Sequence, residues 1–325
     1  MEHNRPGDPV HPALIGDPWA DRERIGAPFS KDPSVVRLGD RYLLYVSLPP
    51  DQSCPQPQGN QPGEAGWTSA VAVSDDLISW QLVADIGPFG DYDANGTAAP
   101  GAVVIDGQVH LFFQTYGNGR DDAICHAVSD DGISFTANPA NPVFAPTGDW
   151  TCGRAIDADV VRAGDRLLLA WATRDPQMEV QMVGTAWAPI DSSFGPDSWT
   201  QLSVDGPALR PELDWERDCI EAPALHWDGE RFTMFYAGGY NNEPQQIGWA
   251  TSTDGIDWVR GTEQPFIANG APGSWNSSES GHPGLFTDHD GSSFLFFQGN
   301  ADHGRTWEIA ATRIGWTAAG PELLG

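Results

Sequence analysis

The chain has little of what small proteins use for bracing. It holds four cysteines, Cys54, Cys125, Cys152 and Cys219, in 325 residues. That is no disulfide framework, and the absence of CxxC spacing excludes a structural zinc site, so buried free thiols are expected. Cations are scarce too: 17 Lys and Arg stand against 45 Asp and Glu, a formal charge of −28. Nucleic acid and anionic membrane surfaces both need a basic footprint, so neither is expected as a partner. No apolar run approaches the roughly 20 residues of a membrane-spanning helix. The start, Met1 to Pro9, shows no charged-then-apolar export signal. As written the chain is expected to be cytoplasmic, and secreted or periplasmic only if a leader has been removed. Helical periodicity is missing throughout, as are a glycine-rich phosphate loop and a nucleophile elbow.

What the sequence does have is repetition. Asp218 to Tyr236 reads as an acid, a short apolar strand, an Asp-Gly turn (Asp228-Gly229) and an aromatic-rich second strand, a strong hairpin signal. Related phrases begin at Asp32, Ala99, Asp157 and His282, and with Glu221 they lie 67, 58, 64 and 61 residues apart. Self-similarity at such a period is the signature of a repeat architecture. Third strands follow, such as Thr68–Val73, Ala123–Val128 and Ile247–Thr251. Each leads into a tight Ser/Thr-Asp-Asp/Gly turn, then an aromatic residue that opens a fourth, outer strand.

Four antiparallel strands per unit, repeated radially, predict an all-β fold, a five-bladed β-propeller. Residues 1–29, with five prolines and three glycines, read as an N-terminal arm packed on the body. Residues 30–325 then form one propeller domain, large enough to bury roughly three quarters of its unfolded surface. The outermost strand of the last blade is expected from the arm or from Gly315 to Thr317.

In a propeller the first strand of each blade lines the central channel, so Asp32, Ala99, Asp157, Glu221 and His282 should converge at one mouth. One Asp at a strand start commonly bonds turn amides. Three acids in equivalent slots of a ring repel one another unless a site uses them. Paired carboxyls flanking a cleft are the equipment of glycoside hydrolysis, and a third can tune the proton donor.

The segments Lys31-Asp32-Pro33-Ser34-Val35-Val36, Ala155-Ile156-Asp157-Ala158-Asp159-Val160, Ile220-Glu221-Ala222-Pro223-Ala224-Leu225 and Ser280-Gly281-His282-Pro283-Gly284 resemble glycoside hydrolase family 43. The five-bladed relatives in families 32, 62, 68, 117 and 130 share the likeness. The resemblance implies Asp32 as general base, Asp157 as pKa modulator and Glu221 as general acid. It also implies that His282 contacts a hydrated structural calcium on the axis, with no cofactor required for the chemistry. Blade two departs from the family's aromatic-Ala-Pro with Ala98-Ala99-Pro100, so a stacking platform must come from elsewhere. Blade three lacks the proline and offers a second acid, Asp159. The implied substrate is a carbohydrate, with an inverting, exo-acting attack on an α-L-arabinofuranoside or β-xyloside first. The alternatives are a retaining fructan hydrolase with Asp32 as nucleophile and a sugar-binding propeller without catalysis. A mannoside phosphorylase is disfavoured because no basic cluster gathers near the register positions in sequence. Expected contacts to sugar are Tyr116, Asn118, Arg174, Tyr240, Asn241 and Gln298 after the second strands, and Glu279 on the loop before His282.

Overall fold

The computed structural model describes residues 13–50 and 66–324. Cys54, most of the Pro49–Gly66 loop and the first part of the arm lie outside the described residues. Blade one is β1 (Lys31–Leu38), β2 (Arg41–Leu48), β3 (Thr68–Ser74) and β4 (Gln81–Ile86). Blade two is β5 (Thr97–Ile105), β6 (Gln108–Thr115), β7 (Ile124–Ser129) and β8 (Thr136–Ala137). Blade three is β9 (Ile156–Ala163), β10 (Arg166–Arg174), β11 (Gln181–Pro189) and β12 (Thr200–Gln201). Blade four is β13 (Ile220–Trp227), β14 (Phe232–Gly238), β15 (Gln246–Ser252) and β16 (Val259–Arg260). Blade five is β17 (Glu279–Thr287), β18 (Ser293–Asn300), β19 (Glu308–Thr317) and β20 (Gly320–Leu323). Each blade is an antiparallel meander in chain order, so the fold is the expected five-bladed propeller. Helix is confined, among the described residues, to three single 3₁₀ turns.

The blades cohere because alternate residues of a strand face opposite neighbours. On β2, Leu44 and Val46 pack against blade five, through Phe286 and Phe296, while Leu43 and Tyr45 pack against Val109 and Leu111 of blade two. Similar clusters fill the other three gaps between blades, with Trp171, Met234 and Phe297 among their members. Buried on both faces, the middle strands read as nearly continuous apolar runs. The turns behave as their sequences require: Asp76, Asp131 and Asp254 each accept two backbone N–H groups just ahead of them.

Closure differs from the expectation. Gly315–Thr317 belongs to β19, and the outer strand of blade five is β20, paired to the last part of β19. The arm covers the remaining edge: Leu14 bridges Thr312, Trp19 bridges Ile309 and Phe29 bridges Trp307. With β20 on Ile314–Thr317, these contacts cover part of the outer edge of β19.

Candidate active site

Every innermost strand is interrupted at the same place. The β1–β2 ladder sets Lys31 opposite Ser47, skips Asp32 and Pro33, and resumes with Ser34 opposite Tyr45. The same skip falls on Ala99-Pro100, Asp157-Ala158, Ala222-Pro223 and His282-Pro283. The first residue of each pair is left-handed, with φ of 58, 43, 52, 51 and 46° at Asp32, Ala99, Asp157, Ala222 and His282. A bulge re-aims a side chain away from its ladder, and five together form a ring. Backbone strain of this kind persists where the surroundings over-determine it. Here the Asp32, Ala99 and Asp157 N–H groups donate to Gln298 Oε1, Ser47 Oγ and Gln114 Oε1 at 3.0, 2.7 and 2.7 Å. Each acceptor sits on the second strand of the preceding blade.

This register corrects the sequence alignment by one residue. Ala222, not Glu221, occupies the ring position of blade four, and Glu221 is equivalent to Lys31, Ala98, Ile156 and Gly281. The offset separates the acids into two levels. A channel of about 50 Å³ on the axis is lined by Asp32, Asp157 and His282 with Pro33, Pro100 and Pro223. Above it opens a cleft of about 220 Å³, which those same three residues share with Lys31, Ala98, Ile156 and Glu221. Asp32, Asp157 and His282 are therefore its floor, and Glu221 is part of its wall.

On the floor, His282 Nδ1 lies 3.0 Å from Asp32 Oδ1. Burial opposes charge on His282, but the charge and hydrogen bond of Asp32, then Asp157 and Glu221, outweigh it and push the imidazole up to about 9. Burial likewise opposes ionisation of Asp32, and His282 with Lys31 overcomes it, holding this carboxyl well below the usual range. The two form an imidazolium–carboxylate pair. Asp157 is pushed up to about 7 by burial and by the charges of Glu221 and Asp32, against the pull of His282 and Arg154. Asp159, raised to about 7 by burial, lines the channel but not the cleft, and its Oδ2 accepts the Leu225 N–H at 2.6 Å.

In the wall, both Glu221 oxygens are held by amides. Gln245 Nε2 donates to Oε1 at 2.5 Å and Gln181 Nε2 donates to Oε2. The amide orientations are fixed from behind, since Gln245 Nε2 also donates to Gly239 O at 3.0 Å and Gln181 Oε1 accepts Arg174 Nε at 2.9 Å.

Of the other expected contacts, Tyr116, Arg174, Tyr240 and Asn241 line the cleft. Asn118 does not; its Oδ1 accepts Asn95 Nδ2 at 2.7 Å. Glu279 begins β17 rather than lying on a loop, and it is fully buried together with Gln298. Gln298 Nε2 donates to Glu279 Oε1 at 3.0 Å, and Glu279 Oε2 accepts the Asn242 N–H at 2.6 Å. These two support the floor from behind instead of facing it. Sequence reasoning missed Lys31, Trp67, Arg154, Gln181 and Gln245. Lys31 carried a signal, being adjacent to Asp32 in a chain poor in cations. Trp67 carried another, as the aromatic that ends the long Pro/Gly loop. With Lys31, Arg154 and Arg174 all in the cleft, the sequence expectation of no basic cluster near the register residues does not hold in space.

Calcium prefers six to eight oxygen ligands. His282 turns its Nδ1 to Asp32, and among the described residues no three His, Cys, Asp or Glu side chains are grouped to hold a metal ion. A calcium held mostly by water, as the family resemblance implies, needs no such group, and the positive charge of His282 relieves the repulsion between the floor acids.

An ionised carboxylate beneath a cleft and a carboxyl in its wall can serve as the paired groups of glycosidic bond cleavage. Comparison with known proteins agrees. The chain superimposes on a thermostable family-43 glycoside hydrolase with a TM-score of 0.70 at 17% identity, covering 91% of this chain and 93% of that one. An endo-1,4-beta-xylanase from Bacteroides thetaiotaomicron VPI-5482 gives 0.68 at 19% identity, with 91% and 94% covered. An alpha-L-arabinofuranosidase from Lactobacillus brevis gives 0.65 at 17% identity, again with 91% and 94% covered. At such identities the likeness speaks for the fold. The sequence profile of Glycosyl hydrolases family 43 matches residues 23–321, nearly the whole propeller with its cleft, and the chain belongs to that family.

Proposed function

We propose that this glycosidase removes single α-L-arabinofuranosyl or β-xylosyl units from the ends of saccharides with inversion at the anomeric carbon. The observation that carries the reading is the division of the acids between floor and wall, with Asp32 ionised and Glu221 presented from the side. Asp32 accepts a proton from a water between the floor and the sugar, and the water oxygen forms its bond to the anomeric carbon. Glu221 gives its proton to the leaving oxygen as the glycosidic C–O bond breaks. Asp32 is then protonated and Glu221 ionised, and exchange with solvent restores both. Asp157 sits beside them as a carboxyl raised to about 7 by burial and by the charges of Glu221 and Asp32, in the place of the pKa modulator that the family resemblance implies. Arg174, Tyr116, Tyr240 and Asn241 supply hydroxyl contacts and ring faces, and Trp67 is placed to supply the platform that Ala98 cannot.

The exo mode rests on the cleft's small volume, about 220 Å³. The sugar rests on the family resemblance and on the xylanase and arabinofuranosidase among similar folds. A panel of aryl furanosides and pyranosides, with the anomer of the first-formed product read by NMR, tests both. An inverted arabinose or xylose product is expected. A retained product would make Asp32 a nucleophile, and release of fructose would move the enzyme to the fructan reading.

A further inference from the structure

In a chain of net charge −28, the cleft gathers Lys31, Arg154, Arg174 and His282. Two of these have carboxylate partners inside the protein: His282 with Asp32, and Arg154 with Asp122 at 3.0 Å. Lys31 and Arg174 have none within ion-pairing distance among the described residues. Both are nevertheless built in. Lys31 Nζ stands 4.4 Å from the centroid of the Trp307 ring and 3.4 Å from Asn241 Oδ1. The Arg174 guanidinium lies 5.2 Å from the Tyr240 ring centroid, with Nε fixed on Gln181 Oε1. Since Tyr240 and Asn241 are adjacent, the two cations flank one short segment of the blade-four rim. Arg174 is also joined through Gln181 to Glu221. Half-buried cations with no carboxylate in direct contact are costly to keep charged. Lys31 does keep its charge: burial lowers its pKa, and Asp32, Glu279, Tyr116 and Glu221 more than restore it.

We infer that this rim is a subsite for an acidic sugar, with Arg174 and Lys31 taking the carboxylate of a uronic acid unit on the leaving-group side of the bond. The side follows from the assignment of Glu221 as proton donor, on which the inference rests: the donor faces the leaving oxygen, and Arg174 reaches Glu221 through one amide. The guanidinium suits the ligand, because its planar fork matches a carboxylate edge to edge and its Nε is already used for positioning. Inorganic phosphate offers similar chemistry, but as an attacking co-substrate it would belong on the floor near Asp32, where His282 and Asp32 already neutralise one another.

The test compares two aryl α-L-arabinofuranosides matched in leaving-group pKa, one with a ring carboxylate, using the full chain, R174M and K31M. Galacturonate, galactose and phosphate are titrated calorimetrically into the same proteins. Wild type should favour the carboxylated glycoside about tenfold in kcat/KM, a ratio characteristic of one charge-assisted hydrogen-bonded pair. The ratio should fall toward one in R174M, fall part-way in K31M, and shrink with added salt. Galacturonate should bind more tightly than galactose in wild type, and R174M should lose the difference. If neither aryl glycoside is turned over, the sugar assignment fails and the titration alone decides the subsite. A ratio near one in wild type with equal binding of galacturonate and galactose overturns the inference. So does binding of phosphate without galacturonate, with sugar phosphate as product.

Discussion

Replacing Asp157 by Asn should stabilise the protein at alkaline pH while removing most of its activity. Asp157 carries a folded-state pKa of about 7 against an ordinary 3.8, because it is buried and faces Glu221 and Asp32. A raised carboxyl means that the folded state binds more protons than the unfolded one between these values. Its stabilising contribution is therefore complete below pH 4 and is lost as pH rises through 7. A shift of this size corresponds to roughly 2–4 kcal/mol once relaxation of neighbouring charges is allowed for. Asn carries no charge to desolvate, and it is among the residues that best tolerate the left-handed φ of 52° found here. The Asp157 N–H bond to Gln114 is a backbone contact, so it survives the change. Thermal unfolding at pH 5 should give wild type and D157N melting temperatures within about 2 °C of each other. At pH 8.5 the variant should melt on the order of 5 °C higher. Asp159 and Glu279, raised to about 7 and about 8, lower wild-type stability in the same direction, but they are common to both proteins and drop out of the difference. A gap in melting temperature that stays constant with pH, or a variant less stable at pH 8.5, would refute the reasoning.

Three further outcomes are expected. Asp32→Asn should reduce kcat by about 10³ or more on every substrate, aryl or natural, as measured by sugar release, since Asp32 is the floor carboxyl that its pairing with His282 keeps ionised as the base for water. Glu221→Gln should cost about 10²–10⁴ on natural saccharides and far less on aryl glycosides with good leaving groups; equal losses on both would remove Glu221 from the donor role. Gly284→Ala should destabilise by about 2–4 kcal/mol in urea titration, because a Cβ there would stand 1.9 Å from the Pro33 carbonyl of the neighbouring inner strand.

The fold was legible because three of the five blades repeat a local grammar: two apolar strands, a Ser-Asp turn whose aspartate caps the following amides, and an aromatic before the outer strand. Closure was less legible. The arm meets β19 through three isolated bridges, and β20 has four residues, so neither carries enough periodicity to stand out. Among site residues, Asp32 and Asp157 could be read because a carboxylate before an apolar inner strand has no packing reason to recur. Gln181 and Gln245 could not. They lie 40 and 24 residues from Glu221, Gln181 at the start of β11 and Gln245 just before β15, and a glutamine there is unremarkable until the fold brings a carboxyl to it. Glu279 and Gln298 show the converse: polar residues at the expected positions that the fold turns inward to support the floor.

The one-residue error in blade four is informative about mechanism. Pro33, Pro100, Pro223 and Pro283 follow the ring residue in four of five blades, and aligning on that proline selects Ala222 for the ring. Aligning on acids selects Glu221 and makes three carboxyls equivalent. Equivalent carboxyls on one small ring would share a single electrostatic environment and compete for the same protons. The bulge prevents this. Asp32 and Asp157 are carried on left-handed residues facing the axis, beside His282, whose charge ionises Asp32 and is shared with Asp157. Glu221 precedes its bulge, leaves the axis, and is gripped by two amides from blades three and four. Under the proposed inverting mechanism, acid and base then act on opposite sides of one bond. A repeat fold thus obtains two chemically distinct carboxyls from a common strand position by a shift of one residue in one blade.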